Sequence, residues 1–102
     1  MSDKLVLEAG DVSLDRLART VLVDGRECRL TLKEFELLEL LMLADGTTVT
    51  RRELAEKVWH ADEIVVGTIN FRIYAVRRKL AAAAKIIQAV RGRGYRISKE
   101  NS

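Results

Sequence analysis

Residues 86–98 read Ile-Ile-Gln-Ala-Val-Arg-Gly-Arg-Gly-Tyr-Arg-Ile-Ser. The apolar segments 86–90 and 95–98 predict two short strands, and the Arg-Gly-Arg-Gly segment between them predicts a tight turn. Glycine favours such turns because it has no side chain to restrict the backbone. The sequence therefore predicts a C-terminal β-hairpin over about residues 86–98, with Arg91 and Arg93 at a cationic tip.

A helix is predicted before this hairpin, over about residues 68–81. Gly67 and Thr68 would open it, with the Thr68 hydroxyl as N-cap. Apolar residues recur at three- and four-residue spacing and predict the buried face, namely Ile69, Ile73, Val76 and Leu80. The opposite face would be available to a partner and consists of Phe71, Tyr74, Ala75 and Arg78, with Asn70 and Arg77 on the flank.

Two further helices are predicted over about residues 32–44 and 51–59, joined by a short connector that contains Gly46. Each follows a capping-box pattern, Thr-Leu-Lys-Glu and Thr-Arg-Arg-Glu. Gly46 stands where a helix C-terminus favours a left-handed residue. The side chains expected in the core are Phe35, Leu38, Leu41 and Met42 from the first helix, and Leu54, Val58 and Trp59 from the second. Residues 60–66 are predicted to form a loop, and the paired helices favour a helix-turn-helix.

Four apolar runs separated by turn residues occupy about residues 4–30 and predict a small antiparallel sheet. The runs are Leu5–Leu7, Val12–Leu14, Thr20–Val23 and Cys28–Leu30. Asp24-Gly25 between the last two runs is typical of a two-residue hairpin turn. Residues 1–102 are therefore interpreted as one domain of the α+β class.

Basic side chains are concentrated in the C-terminal third of the chain. Residues 67–102 contain nine basic side chains and one acidic side chain, a formal charge of +8. Residues 1–66 contain nine basic and fourteen acidic side chains, a formal charge of −5. Such segregation indicates a polyanionic partner, although a solvated charged surface could also produce it.

Composition and motif content exclude several classes of protein. The single Cys28 cannot form an internal disulfide, and no apolar run approaches the roughly 20 residues of a membrane span. Acidic residues interrupt the first apolar stretch, so no signal peptide is predicted and a cytoplasmic location is expected. No catalytic triad, phosphate-binding glycine loop or metal-ligand cluster is present, and His60 and Cys28 lack partners at metal-ligand spacing. We expect no enzymatic activity, no cofactor, no metal and no membrane partner.

Double-stranded DNA is the polyanion that these elements fit. DNA binding requires cations for the phosphates and an element that carries side chains into a groove. The major groove admits one α-helix, and a thin cationic hairpin can enter the minor groove. We therefore predict sequence-specific DNA binding and transcription regulation. The base-facing candidates on the third helix are Asn70, Phe71, Tyr74, Ala75 and Arg78.

Several short segments, in order along the chain, also match a known pattern. They are Leu30-Thr31, Glu34-Phe35, Leu37-Leu38, Arg52–Leu54, Val58-Trp59, Arg77–Leu80 and Val90–Arg96. Together they resemble the effector domain of OmpR/PhoB-type bacterial response regulators, over about residues 5–97. The resemblance implies a winged helix-turn-helix with a four-stranded N-terminal sheet, three helices and a C-terminal hairpin wing. In two-component systems a phosphorylatable receiver domain normally precedes this domain, and the sequence leaves open whether one precedes this chain.

The resemblance also implies roles for individual residues. Phe71 and Ala75 would face bases and Arg91 would belong to the wing. The candidates for contact with the DNA backbone are Trp59, Thr68, Arg72, Arg77 and Tyr95. The loop before the third helix could touch RNA polymerase through His60, Ala61, Asp62 and Glu63. Members of this family usually bind direct repeats as head-to-tail homodimers.

Other functions fit the same residues. Exposed aromatic side chains at Phe71 and Tyr74 could bind a protein, which would make the chain a winged-helix interaction module. Charge alone would make it a non-specific architectural DNA binder. Trp59 and Tyr95 could also be packing residues. Dependence of binding on salt and on DNA sequence distinguishes these functions.

Overall fold

A four-stranded antiparallel sheet forms the N-terminal part of the fold. The computed structural model describes residues 4–60 and 63–98, and for residues 63–65 it describes the backbone alone. The strands are β1 (Val6–Ala9), β2 (Val12–Asp15), β3 (Thr20–Val23) and β4 (Arg26–Cys28), in the order β1-β2-β3-β4. Side chains alternate between the two faces, and one face buries Leu7, Val12, Leu14 and Val21. The predicted four-stranded sheet is confirmed.

The turn between β3 and β4 sets the register of the last strand. Asp24 and Gly25 both have positive φ, 51° and 81°, as a type I′ hairpin turn requires. Val23 consequently lies opposite Arg26, and β4 begins directly after the turn. The prediction of a strand over residues 28–30 is therefore displaced by two residues. The first strand is also displaced, since β1 starts at Val6 rather than Leu5.

Helices α1 (Leu32–Leu43) and α2 (Arg51–Trp59) both begin at the predicted capping boxes. The Thr31 hydroxyl accepts a hydrogen bond of 3.2 Å from the backbone amide of Glu34, and the Glu34 carboxylate accepts one of 2.8 Å from the backbone amide of Thr31. Thr50 and Glu53 repeat this exchange at 3.0 Å in both directions. After α1, positive φ occurs at Gly46 as predicted and also at Asp45, so two residues turn the chain.

Helix α3 (Glu63–Leu80) begins five residues, about one and a half turns, earlier than predicted. Residues 63–66 are helical rather than part of a loop, and Thr68 lies inside the helix, so the prediction of Thr68 as N-cap is wrong. The apolar stripe explains the extension, because Val66 packs against the core three residues before Ile69. Gly67 is exposed and inside the helix, where one glycine costs about 1 kcal/mol without ending it.

The C-terminal hairpin belongs to a second sheet. A 3₁₀ helix (Ala81–Ile86) leads into β6 (Ile87–Val90), and β7 (Gly94–Ile97) returns antiparallel to it. A short strand that the sequence did not predict, β5 (Val49–Thr50), pairs with the other edge of β7 and gives the order β5-β7-β6. The predicted wing is confirmed, and β5 attaches it to the start of α2.

The core lies between the two sheets and the three helices. The predicted stripe of α3 is buried, with no member more than 1% exposed: Ile69, Ile73, Val76 and Leu80. The predicted core residues of α1 are also buried, as are Leu54 and Val58 of α2. This packing fixes α3 with its other face outward. None of the helices within residues 4–60 and 63–98 combines the length and apolar character that a membrane span requires.

Candidate nucleic-acid interface

The outward face of α3 carries two aromatic side chains. Phe71 is 72% exposed and Tyr74 is 58% exposed. Arg78 is exposed one turn further along the helix, and Ala75 is half-buried beside them. The structure therefore brings four of the five predicted base-facing residues onto one surface, as the 100° spacing of helical residues implies.

Three of the predicted backbone-contacting residues form a cluster at the junction of α2 and α3. The guanidinium of Arg72 lies over the ring of Trp59, 4.4 Å from the ring centroid. Its Nε donates to the Thr68 hydroxyl at 2.9 Å. A cation held by an aromatic face and a hydroxyl is pre-oriented, and a stacking contact of this kind stabilises by about 0.5–2 kcal/mol. The cluster presents a fixed positive charge beside the exposed face of α3.

A second cluster joins α3 to the hairpin. The side-chain oxygen of Asn70 accepts a hydrogen bond from the hydroxyl of Tyr95 at 2.5 Å and another from Nε of Arg51 at 2.9 Å. Arg51 also lies 5.7 Å from the centroid of the Tyr95 ring. Two donors use both lone pairs of the Asn70 oxygen, so only the amide nitrogen is left for a base. Tyr95 is only 7% exposed. This arrangement gives Asn70 and Tyr95 a positioning role within the chain. The DNA contacts predicted for these two residues stay predictions.

Arg51 is a site residue that the sequence analysis missed. It is the first residue of α2, directly after the N-cap Thr50. A cation in the first turn of a helix opposes the helix dipole and is therefore unusual there. The positive charge of Arg51 at a helix N-terminus was therefore the sequence signal for a site residue. A residue that destabilises its own helix end is expected to have a partner elsewhere in the fold.

The tip of the hairpin is built to project two arginines. The amide of Arg93 donates to the carbonyl of Val90 at 2.9 Å, and Gly92 between them has φ 75°, as the third position of a type II turn requires. Arg91 and Arg93 are both exposed. Gly94 serves a different purpose from the turn, since a Cβ there would lie 2.1 Å from the carbonyl oxygen of Val49. It allows β7 to approach β5.

Not every basic residue of the C-terminal third is available to a partner. Lys79 donates to the Glu34 carboxylate at 2.6 Å, and Arg96 donates to Gln88 at 3.1 Å across the hairpin. Within residues 67–98, four arginines have no side-chain hydrogen bond or ion pair to any described residue: Arg77, Arg78, Arg91 and Arg93. These four side chains are free to bind phosphates.

The end of α3 is anchored to the first sheet. Cys28 donates through its Sγ to the carbonyl of Lys79 at 3.3 Å, and burial raises the pKa of the Cys28 thiol. Partial burial also acts to raise the pKa of Glu34, but the hydrogen bonds from Lys79 and Thr31 outweigh it and lower that pKa. Cys28 thus contributes a structural contact between β4 and α3.

The segment predicted to contact polymerase lies between α2 and α3. His60 ends α2 in a left-handed conformation, φ 54° and ψ 49°, and its amide donates to the carbonyl of Glu56 at 3.0 Å. Ala61 and Asp62 lie outside the described residues, and Glu63 begins α3. The connection is therefore shorter than the predicted loop of residues 60–66.

Comparison with known proteins gives a consistent result. Residues 25–97 match the family model described as "Transcriptional regulatory protein, C terminal". The chain is 38% identical over 93 residues to the transcriptional regulatory protein CutR of Streptomyces coelicolor, covering 90% of this chain and 42% of CutR. It is 40% identical over 101 residues to the sensory transduction protein RegX3 of Mycobacterium tuberculosis, covering 95% of this chain and 44% of RegX3. The chain thus spans less than half the length of these relatives.

Solved structures show the same architecture. The DNA-binding domain of CpxR from E. coli superposes with a TM-score of 0.80 at 29% identity, covering 95% of this chain and all of that domain. The response regulator DrrB, an OmpR/PhoB homolog from Thermotoga maritima, gives a TM-score of 0.83 at 28% identity, covering 93% of this chain and 45% of DrrB. This family consists of DNA-binding transcription regulators and not of enzymes. The chain therefore belongs to the family of C-terminal domains of transcriptional regulatory proteins, of the OmpR/PhoB type.

Proposed function

We propose that this chain binds double-stranded DNA at specific sequences and regulates transcription, with α3 in the major groove and the hairpin tip in the adjacent minor groove. The observation that carries the proposal is the presence of four free arginines on two elements, α3 and the hairpin, that the hydrogen bond between Tyr95 and Asn70 joins. Arg77 and Arg78 lie at one end of α3, and Arg91 and Arg93 project from the hairpin. A helix and a hairpin that are held together, each with its own cations, match two neighbouring grooves better than they match a flat anionic surface.

Contacts with the DNA backbone are assigned to the cations that border the helix. Arg77 and the Trp59-Arg72-Thr68 cluster flank the exposed face of α3, where phosphates of the two strands would pass. Phosphate contacts give affinity without sequence preference, whereas side chains that reach the groove floor give specificity. Arg78 is the hydrogen-bonding candidate for base recognition, because Asn70 retains only its amide nitrogen.

The test begins with selection of duplexes from a random library by the purified chain. Affinity for the selected duplex and for a scrambled duplex is then measured by fluorescence anisotropy across a range of salt concentrations. We expect a preference of at least about 1,000-fold for the selected site. A steep salt dependence without preference would indicate an architectural binder, and failure to bind any duplex would indicate a protein-interaction module.

Variants that remove one positive charge distinguish contacts with phosphates from contacts with bases. Arg91→Gln and Arg77→Gln should each weaken binding to every duplex and reduce the salt slope by about 1. Arg78→Gln should change which sequence is preferred. Arg19→Gln is the matched control, because Arg19 is exposed in the loop between β2 and β3 and lies on none of the elements of the site. An equal effect of Arg19→Gln would show that only net charge matters.

The proposal extends to partners and location. A head-to-tail homodimer on direct repeats is supported by the formal charges of −5 on residues 1–66 and +8 on residues 67–102, because oppositely charged segments of adjoining copies attract each other. Cooperative binding to two half-sites, lost when the second site is inverted, is the expected result. We also propose that the regulator is cytoplasmic and that residues 60–63 contact RNA polymerase. This contact is tested by comparing activated transcription in vitro between the unaltered chain and His60→Ala.

A further inference from the structure

The exposed aromatic side chains of α3 stand beside residues that have little or no side chain. Phe71 and Tyr74 are three residues apart and therefore neighbours on the helix surface. Gly67 lies one turn before Phe71, and a Cβ at Gly67 would have no atom within 4 Å. Ala75 follows directly after Tyr74 and is half-buried. The two aromatic rings therefore project beyond their neighbours Gly67 and Ala75.

Cations border this apolar surface. Arg72 lies on its α2 side, held over Trp59, and Arg77 and Arg78 lie at its C-terminal end. The major groove has the complementary arrangement, with phosphates along both edges and bases on its floor. The apolar group on that floor is the C5 methyl of thymine. An apolar centre within a cationic border therefore fits a major groove whose floor is lined with methyl groups.

Few hydrogen-bonding groups compete with the aromatic rings on this face. Recognition of adenine by an asparagine needs both the oxygen and the nitrogen of its amide. The oxygen of Asn70 is already held by Tyr95 and Arg51. Among the predicted base-facing residues, Arg78 and the hydroxyl of Tyr74 then have all their donors available within the described part of the chain. Phe71 and Ala75 have no hydrogen-bonding group in their side chains, so their part of the face can make only apolar contacts.

We propose that α3 reads thymine through its C5 methyl groups, with Phe71 and Tyr74 packing against them, so that the preferred site is thymine-rich where α3 contacts the bases. This inference rests on the proposed function, because it specifies the DNA sequence class that the same surface selects. In this assignment the exposed aromatic side chains bind thymine methyl groups, whereas Arg72 and Arg77 at the border supply affinity through the phosphates.

Replacement of thymine by uracil in the selected duplex tests the inference, because uracil lacks only the methyl group and keeps the same base-pairing atoms. Each contacted thymine should show about a four-fold loss of affinity on replacement, the effect expected for one buried carbon group of this size. Thymines outside the contacted base pairs should show no change. This measurement uses the unaltered chain and does not depend on the folding of any variant.

Variants identify the side chains that sense the methyl groups. Phe71→Ala and Tyr74→Ala should each abolish the uracil effect at one or two positions, as coupled pairs do in a double-mutant cycle. Both residues are exposed, so the variants should unfold at the same denaturant concentration as the unaltered chain. Leu22→Ala, an exposed apolar residue of β3, is the matched control and should leave every uracil effect intact.

The outcomes are distinguishable. Site-specific binding that tolerates uracil at every position overturns the methyl-reading inference and leaves DNA binding standing. The same holds if Phe71→Ala and Tyr74→Ala keep the full uracil effect. Absence of binding to any duplex removes the proposed function itself and points to a protein partner for the aromatic surface.

Discussion

The hydroxyl of Tyr95 in β7 donates a hydrogen bond to the side-chain oxygen of Asn70 in α3, at a distance of 2.5 Å. This bond connects the two elements that are proposed to enter neighbouring grooves. Arg51 of α2 donates to the same oxygen, so three elements meet at one acceptor. The angle between helix and hairpin is thereby fixed before DNA binds, which reduces the conformational entropy that binding would otherwise lose.

Removal of the Tyr95 hydroxyl should weaken DNA binding, because this hydroxyl holds the side chain of Asn70 in position. Tyr95→Phe keeps the buried ring and deletes only the donor, so we expect a loss of about 1 kcal/mol in unfolding free energy. Affinity for the selected duplex should fall by about five-fold, the equivalent of 1 kcal/mol in binding. Anisotropy titrations and urea unfolding measure the two quantities.

A double-variant cycle separates this positioning role from direct phosphate contact. If Tyr95 acts through Asn70, the double variant of Tyr95→Phe and Asn70→Ala should bind DNA no more weakly than Asn70→Ala alone. Additive losses would instead mean that the Tyr95 hydroxyl contacts the phosphate itself, as the resemblance implied at the level of sequence.

Alanine at position 67 should stabilise the chain. Gly67 lies inside α3 with open space around the position of a Cβ, and its φ is not in the left-handed region. Alanine is favoured over glycine inside a helix by about 0.8–1.0 kcal/mol. The midpoint of urea unfolding should therefore rise while the urea dependence of the unfolding free energy stays constant. A fall in the midpoint would contradict the helical assignment of residues 63–67.

Local patterns predicted those elements of the fold that are specified by neighbouring residues. Two capping boxes located the starts of α1 and α2, and Asp24-Gly25 located a turn, because in each case the partners are a few residues apart. The start of α3 was missed because glycine at position 67 resembles a breaker, whereas Val66 extends the buried stripe only in the packed structure.

The remaining differences concern contacts between residues that are distant in the sequence. Strand β5 has only two residues, and it exists because β7 supplies its hydrogen-bonding partners. The bond between Asn70 and Arg51 likewise spans 19 residues. The residues of the candidate site were predictable as a face of α3 and a cationic turn. Their mutual hydrogen bonds were not, since spacing along the chain carries no information about them.

Alanine at position 94 should have the opposite effect from alanine at position 67. A Cβ on Gly94 would lie 2.1 Å from the carbonyl oxygen of Val49, which is backbone and cannot move aside without separating β5 from β7. We expect a loss of about 1–3 kcal/mol in unfolding free energy, in the range found for overpacked sites. Gly92→Ala, at a turn position with open space, isolates the cost of a positive φ alone. An unchanged unfolding free energy in Gly94→Ala would show that the approach of β5 is unimportant.

Glu34 should make the stability of the chain fall in acid. Its carboxylate accepts the amide of Thr31 and pairs with Lys79, and these contacts lower its pKa below the ordinary 4.5 despite partial burial. Above about pH 4.5 the charged form is present in both states and the contacts contribute fully to stability. As the pH falls below that value the unfolded state binds the proton first, so stability is lost until the folded pKa has been passed.

Glu34→Gln isolates this contribution. Glutamine can still accept the amide of Thr31, but it neither titrates nor balances the charge of Lys79. Near neutral pH we expect Glu34→Gln to unfold with about 0.5–1 kcal/mol less free energy than the unaltered chain, since Lys79 is partly exposed. The difference should shrink towards zero as the pH falls below 4.5, in urea unfolding measured at a series of pH values. Glu53→Gln is the control, because Glu53 makes the same capping bonds without a comparable lysine contact and should show a smaller change. A difference for Glu34→Gln that is constant with pH would assign its effect to packing of the amide rather than to the charge.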